Sequence, residues 1–207
     1  MAQNNIIDIR RTESSPTEPC TLSEAKLQLI VTYSDDDTLI TALITKARKI
    51  VENFCNISIV AQSVTLIADL YNEWELPYGP VTGITGVQTR TGTEGSGPST
   101  YATQTSGWST DGVEFITFTP SGAGFNPGAP FTGHFQWGPY ASPYAQGPGN
   151  RYKITYTTGY STVPDDLKQA VLLQIVYLYE HRGEEIEAKI CEAARVLAEP
   201  YLRKLWQ

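Results

Sequence analysis

The sequence predicts an α+β fold: a small bundle of about four helices joined to antiparallel strands, with a β-rich insertion. Three observations predict it. Apolar residues recur at helical spacing between 22 and 54 and again between 164 and 199. They alternate, with many β-branched side chains, in 58–67 and 152–157. Between these regions, 91–150 is rich in Gly, Pro, Ser, Thr and aromatic residues, a composition of turns and short strands. At 207 residues, 41% hydrophobic, the chain can bury a full core.

Taken in order, residues 1–20 are polar, carry Pro16 and Pro19, and read as an arm or linker. Thr21-Leu22-Ser23-Glu24 matches a capping box, in which the threonine hydroxyl accepts from the Glu24 amide and Glu24 reaches back. A short helix follows, with Leu22, Ala25 and Leu29 on one face, ending near Val31. Ser34-Asp35-Asp36-Asp37 opens a second helix, its carboxylates offsetting unpaired amides at the positive end. Its apolar set is Leu39, Ile40, Leu43, Ile44, Ala47, Ile50, Val51 and Phe54, with Lys46, Arg48 and Lys49 late in the helix, where the dipole favours cations.

The stretch Ser58–Ile67 reads as a strand, Leu76-Pro77-Tyr78-Gly79-Pro80 as a turn or sheet edge, and Val81–Arg90 as another strand. Gly83 and Gly86 do not make a phosphate loop, since the spacing is wrong and no Lys follows; they permit a turn or bulge. Within 91–150 one strand stands out, Val113–Phe118. Phe131, Phe135, Trp137, Tyr140 and Tyr144 read first as the core of the insertion, and second as a surface that stacks on sugars or a partner. Tyr152–Thr157 alternates as a half-buried strand.

Val163-Pro164-Asp165-Asp166 starts a third helix with proline in its first turn. From Ala170 to Tyr179 only Gln174 is polar, so this helix is covered on most sides, by its own core or by neighbouring subunits. Val171, Ile175 and Leu178 are its candidate subunit-packing residues. Glu184–Glu199 reads as a fourth helix, with Ile186, Ile190, Ala194 and Leu197 on one stripe; Ile186 and Ile190 join the subunit-packing set. Pro200 ends it. The aromatic, basic tail Tyr201, Leu202, Arg203, Lys204, Leu205 and Trp206 packs on its own domain or docks on a partner.

Charge and chemistry narrow the function. A net charge of −7 opposes phosphate-neutralising nucleic-acid binding, and no Lys or Arg occurs between Thr91 and Asn150. Cys20, Cys55 and Cys191 form no CxxC pair, which fits a reducing assembly environment. No signal-peptide pattern opens the chain, and no apolar run spans a bilayer, so no membrane partner is expected. The Asp35-Asp36-Asp37 run lacks the glycine and terminal glutamate of a calcium loop and reads as helix capping. His134 and His181 have no metal-spaced companions, and no G-x-S-x-G elbow is present; His181 fits a helix end, facing terminal carbonyls. No catalytic residue, metal ligand or cofactor is therefore assigned, and an enzyme is not expected.

Three passages resemble the head–tail connector (head-completion adaptor) family of tailed bacteriophages, with its gp6-like and gp8-like members. The first is Leu22-Ser23-Glu24-Ala25-Lys26 with Asp35–Ile40 and Ala47–Glu52. The second is Glu75-Leu76-Pro77 with Pro80-Val81. The third is Tyr156–Tyr160 with Val163-Pro164, Leu167–Ala170 and Tyr177–Arg182. The resemblance divides the chain into an arm (1–20), a connector core (21–90 and 151–199), an insertion longer than the family's usual connection (91–150) and a docking tail (200–207). It implies a structural virion protein: a homo-oligomeric, dodecameric ring beneath the portal, joining head to tail, with a stopper or tail-completion protein on its other face. Packaged DNA would pass its lumen without sequence-specific binding, and assembly would take place in the host cytoplasm. The alternative from the residues alone is a binding module whose 91–150 insertion recognises glycan or a partner surface.

Overall fold

The computed structural model describes residues 5–13, 17–69, 73–91, 100–105, 108–111, 115–118, 151–182 and 189–203. These form the expected α+β architecture. Four helices, α1 (Leu22–Leu29), α2 (Asp37–Cys55), α3 (Asp165–Glu180) and α4 (Glu192–Ala198), accompany eight strands. Five strands make one antiparallel sheet in the order β1 (Asn5–Glu13), β2 (Gln62–Asp69), β8 (Arg151–Thr158), β4 (Val81–Thr91), β5 (Thr100–Thr103). The other three, β3 (Glu73–Glu75), β7 (Phe115–Phe118) and β6 (Trp108–Thr110), make a smaller antiparallel sheet.

Each sheet and helix follows from its periodicity. In β2 and β8 every second residue is buried, as half-buried strands require. Their register places Val64 opposite Tyr156, Leu66 opposite Ile154 and Ala68 opposite Tyr152, so apolar side chains face one another across the ladder. This face joins Trp74, Leu76 and Ile116 in one of two cores. The other core lies among the helices, where α2 contributes Ile40, Leu43, Ile44, Ala47, Ile50 and Val51. As the glycines suggested, β4 is irregular there: its register against β8 shifts between Val81 and Gly83 and again between Ile84 and Gly86.

The insertion is tied to the scaffold through its described strands. β5 extends the main sheet from β4, β7 pairs with β3, and β6 pairs with β7. Ile116 of β7 is fully buried in the sheet core. The aromatic residues 131–144 and His134 lie outside the described residues.

Three boundaries differ from the sequence reading. Residues 5–13, read as part of an arm, form the edge strand β1, none of whose described side chains is fully buried. The strand expected from Ser58 begins only at Gln62, because the amides of Ile59 and Val60 donate to the Glu52 carboxylate (2.8 and 3.4 Å) instead of to a ladder. The fourth helix begins only at Glu192. Ahead of it, Gln174 of α3 accepts from the Cys191 amide at 2.7 Å and donates to the Lys189 carbonyl at 3.2 Å, so the backbone at 189–191 is held in a non-helical path. Residues 183–188, including Ile186, lie outside the described residues.

Candidate functional site: polar ties and exposed faces of the helical core

The most concentrated charge in the fold sits around Arg48 of α2, which is completely buried. Its Nε donates to Glu18 (2.8 Å), one terminal nitrogen donates to Glu52 (2.9 Å), and the other donates to Glu13 (3.0 Å). Thr45 also donates to Glu18 at 2.8 Å. Glu52, four residues on and equally buried, accepts in addition from Gln62 Nε2 at 2.9 Å. One guanidinium thus joins the end of β1, the segment before α1 and the helix itself. Burial works against the Arg48 charge, but its hydrogen bonds to Glu18 and Glu13 and the charge of Glu52 outweigh it and hold the guanidinium protonated. Burial pushes Glu52 above the usual carboxylate range, with Arg48 and the Ile59 and Val60 amides pulling the other way. Glu13 resists burial and sits below that range because of Arg48 and Lys49.

The corner between α1 and α2 carries a second polar set. The predicted capping box is present: Thr21 Oγ1 accepts from the Glu24 amide at 3.2 Å, and Glu24 accepts from the Thr21 amide at 2.8 Å. Lys168 of α3 also donates to Glu24 at 2.6 Å, and this bond, with those from Thr21, holds Glu24 down to about 2. The acidic run does not cap α2 as expected. Asp36 occupies the N-cap position without a side-chain cap bond. Its carboxylate instead accepts from Tyr179 (2.5 Å), Tyr33 (3.3 Å) and Arg182 (3.5 Å). Asp37 accepts from Lys26 at 2.6 Å. The carboxylates therefore lace the start of α2 to the end of α3 and to α1. The bond from Tyr179 lowers Asp36, and a separate contact between the Tyr33 and Tyr179 hydroxyls (3.2 Å) pushes Tyr33 up to about 12. Beside this corner Leu27 and Ile30 stand 81% and 89% exposed, and Ile30 holds a left-handed conformation (φ 58°) as the C-cap of α1.

The residues proposed from sequence for subunit packing divide. Val171, Ile175 and Leu178 are buried among α1, α2 and α4 of the same chain. The long apolar run of α3 made them look available, but this chain's own helices cover it. Ile190 is partly buried against the same core, outside any helix. His181 ends α3 with Nδ1 2.8 Å from the Tyr177 carbonyl, as a helix-end histidine should.

In the tail, Glu199–Tyr201 form a 3-10 turn and Arg203 is fastened to the chain's own body. Its amide donates to the Cys55 carbonyl (2.9 Å), its carbonyl accepts from Asn56 (3.1 Å), and its guanidinium donates to Glu75 (2.5 and 3.2 Å). The guanidinium lies over Gly79, where an added Cβ would sit 1.5 Å from it. Tyr201, Leu202 and Arg203 line an open groove of about 310 Å³ with Ile57, Pro80 and Tyr160. Lys204, Leu205 and Trp206 lie outside the described residues.

Among the described residues no group of three or more His, Cys, Asp or Glu side chains could hold a metal ion, and no helix is long and apolar enough to cross a membrane. Cys20 and Cys55 are buried free thiols, pushed up to about 11 by burial and, for Cys20, by Glu24 and Glu18 as well. The polar clusters described above join one chain segment to another. They lie within the two-core α+β body of a chain whose sequence resembles the head–tail connector family.

Comparison with known proteins agrees with that resemblance. Residues 19–78 match the family of phage gp6-like head-tail connector proteins, a span that contains α1, α2 and, of the Arg48 cluster, Thr45, Arg48, Glu52 and Gln62 but not Glu13 or Glu18. Across the whole chain the fold is similar to one from the neck of an empty gene transfer agent (GTA) particle computed with C6 symmetry. The TM-score is 0.63 at 18% identity, over 96% of this chain and 98% of that one. It is also similar to a chain from the neck of a native GTA particle computed with C12 symmetry (TM-score 0.58, 19% identity, the same coverage). A chain from the virion of the native GTA particle gives a TM-score of 0.61 at 19% identity. No curated protein sequence matches.

Proposed function

We propose that this chain is a head–tail connector: a structural virion subunit that forms a ring beneath the portal, joins capsid to tail and lets DNA pass. The observation that carries this reading is the match of residues 19–78 to the gp6-like connector family, since that segment includes the helix on which the fold's internal ties converge. A likeness to neck chains over nearly the whole length supports the same role. C6 and C12 symmetry in those necks is compatible with a dodecameric ring. The role is mechanical and needs no reaction. The portal on one side, a stopper or tail-completion protein on the other, and assembly in the host cytoplasm before incorporation into the virion complete the proposal.

Within it, Tyr201–Trp206 serve as a portal-docking tail whose base is fixed at Arg203. The anchoring at Arg203 means that residues 204–207 can be deleted without disturbing a described contact. Electron microscopy of the protein mixed with its portal tests the main reading: rings are expected on the portal, and a persistent monomer with no portal association refutes it. A pull-down with chain ending at Arg203 tests the tail, for which weakened portal capture is expected and unchanged capture is the refuting result.

A further inference from the structure

We propose that the outward face of α2 in one copy docks on the surface formed by the start of α3, α4 and the following 3-10 turn of the next copy. The proposal rests on the ring reading and names the subunit contact within it.

The first surface is a stripe. Leu39, Ala42, Lys46, Lys49 and Asn53 are spaced by three, four, three and four residues, which aligns them along one side of the helix, and all are exposed. Ile40, Leu43, Ile44, Ala47 and Val51 on the other side face the core that α3 shares, so the stripe looks away from α3. It bears two lysines and no carboxylate, a local reversal on a chain of net charge −7. Lys46 has no ion-pair partner among the described residues, and Lys49 only reaches Glu13 at 3.5 Å.

The second surface has the opposite character. Asp165 and Asp166 open α3, Glu199 opens the 3-10 turn, and all three are exposed. Tyr201 Oη lies 3.5 Å from Asp166, which brings the turn beside the start of α3. The cations nearby are already engaged: Arg195 by Glu192 at 2.6 Å, Arg203 by Glu75 and Lys168 by Glu24. Three carboxylates are left without an ion-pair partner among the described residues, next to Val196 (58% exposed) and Leu202 (40% exposed).

A second copy is the occupant because the two surfaces complement each other in charge, and each carries exposed apolar side chains for the other, Leu39 on one and Val196 and Leu202 on the other. They cannot satisfy one another within one chain, since the stripe faces away from α3. A two-fold dimer through the stripe would set lysine against lysine. Unlike patches on one subunit make a head-to-tail contact, the kind that builds a ring when the rotation between copies closes.

The test is charge exchange in the full chain, with assembly followed by mass photometry and electron microscopy, alone and on the portal, and circular dichroism as the check on folding. Lys46→Glu/Lys49→Glu is expected to weaken ring formation at least about tenfold. Glu199→Lys, which leaves the first turn of α3 intact, should weaken it too. Rings of the unaltered chain should also weaken as salt is raised, because the contact is held by exposed charges. Undiminished rings in the lysine variant, or in Glu199→Lys, overturn the contact. Absence of rings from the unaltered chain, with and without portal, overturns the ring reading instead.

Discussion

Replacing Arg48 by Met should be among the most damaging single changes in the helical core. The guanidinium is fully buried and balances three carboxylates. Glu13 and Glu18 keep about a quarter of their side-chain surface in water and can rehydrate, but Glu52 retains 1%. Removing one partner of a buried pair strands the other charge and costs about 3–5 kcal/mol. With a urea slope of about 2 kcal/mol per molar for a domain of this size, the unfolding midpoint should fall by roughly 1.5–2.5 M. The change also unties the end of β1, so amide exchange in 5–13 should quicken beyond what the global loss explains. Arg48→Met/Glu52→Gln removes the stranded charge while leaving an oxygen to accept from Ile59 and Val60. It should recover at least about half of the loss, because replacing both members of a buried pair is often near neutral. A loss under about 1 kcal/mol for Arg48→Met, or no recovery in the double variant, would show that the cluster does not hold the N-terminal strand.

Three further outcomes follow from single positions. Ile30→Gly should stabilise the chain by about 1 kcal/mol, raising the melting temperature by roughly 2–4 °C in calorimetry, since a β-branched residue pays a left-handed penalty there and its exposed side chain packs on nothing described. Gly159→Ala should cost about 2 kcal/mol or more in urea titration, because φ is 119° and the new Cβ would meet the Val60 carbonyl at 2.5 Å; Gly86→Ala, with open space around it, should stay within about 0.5 kcal/mol. Glu24 has a folded-state value near 2 against 4.5 for the free side chain, so its contribution is present above pH 4.5 and is lost as pH falls toward 2. The melting temperature of Glu24→Gln should therefore decline less over that interval than that of the unaltered chain, and parallel declines would refute the Lys168 pairing.

Regular periodicity made much of this fold legible. The α2 stripe from Ile40 to Val51 and the alternation of β8 are one-dimensional signals, and the structure places them as their spacing demands. The polar ties within the chain were less legible because they depend on which polar residue faces which segment. Arg48 and Glu52 fall on the buried stripe, four and eight residues after Ile44. That position was a usable signal that neither is a surface charge, but the sequence alone does not reveal that the partners would be Glu13 and Glu18, more than thirty residues upstream of Arg48 or nearly so. For Val171, Ile175 and Leu178 the illegible part was complementary: an apolar face needs a cover, and composition does not say whether the cover is the same chain, as the helical core here supplies, or the next.

Two of the boundaries that periodicity misplaced have a common cause, and the base of the tail shares it. At 59–60 the backbone is held by Glu52, at 189–191 by Gln174, and at 203 by Cys55, Asn56 and Glu75. In each case a polar group from a distant element, set in place by its own helix or strand, takes the hydrogen bonds that local structure would have used. Such ties are costly to leave half-made, so they fix chain paths more sharply than apolar contact does. At Arg203 they fasten one residue to both halves of the body at once, to the C-terminal end of α2 through Cys55 and Asn56 and to the small sheet through Glu75.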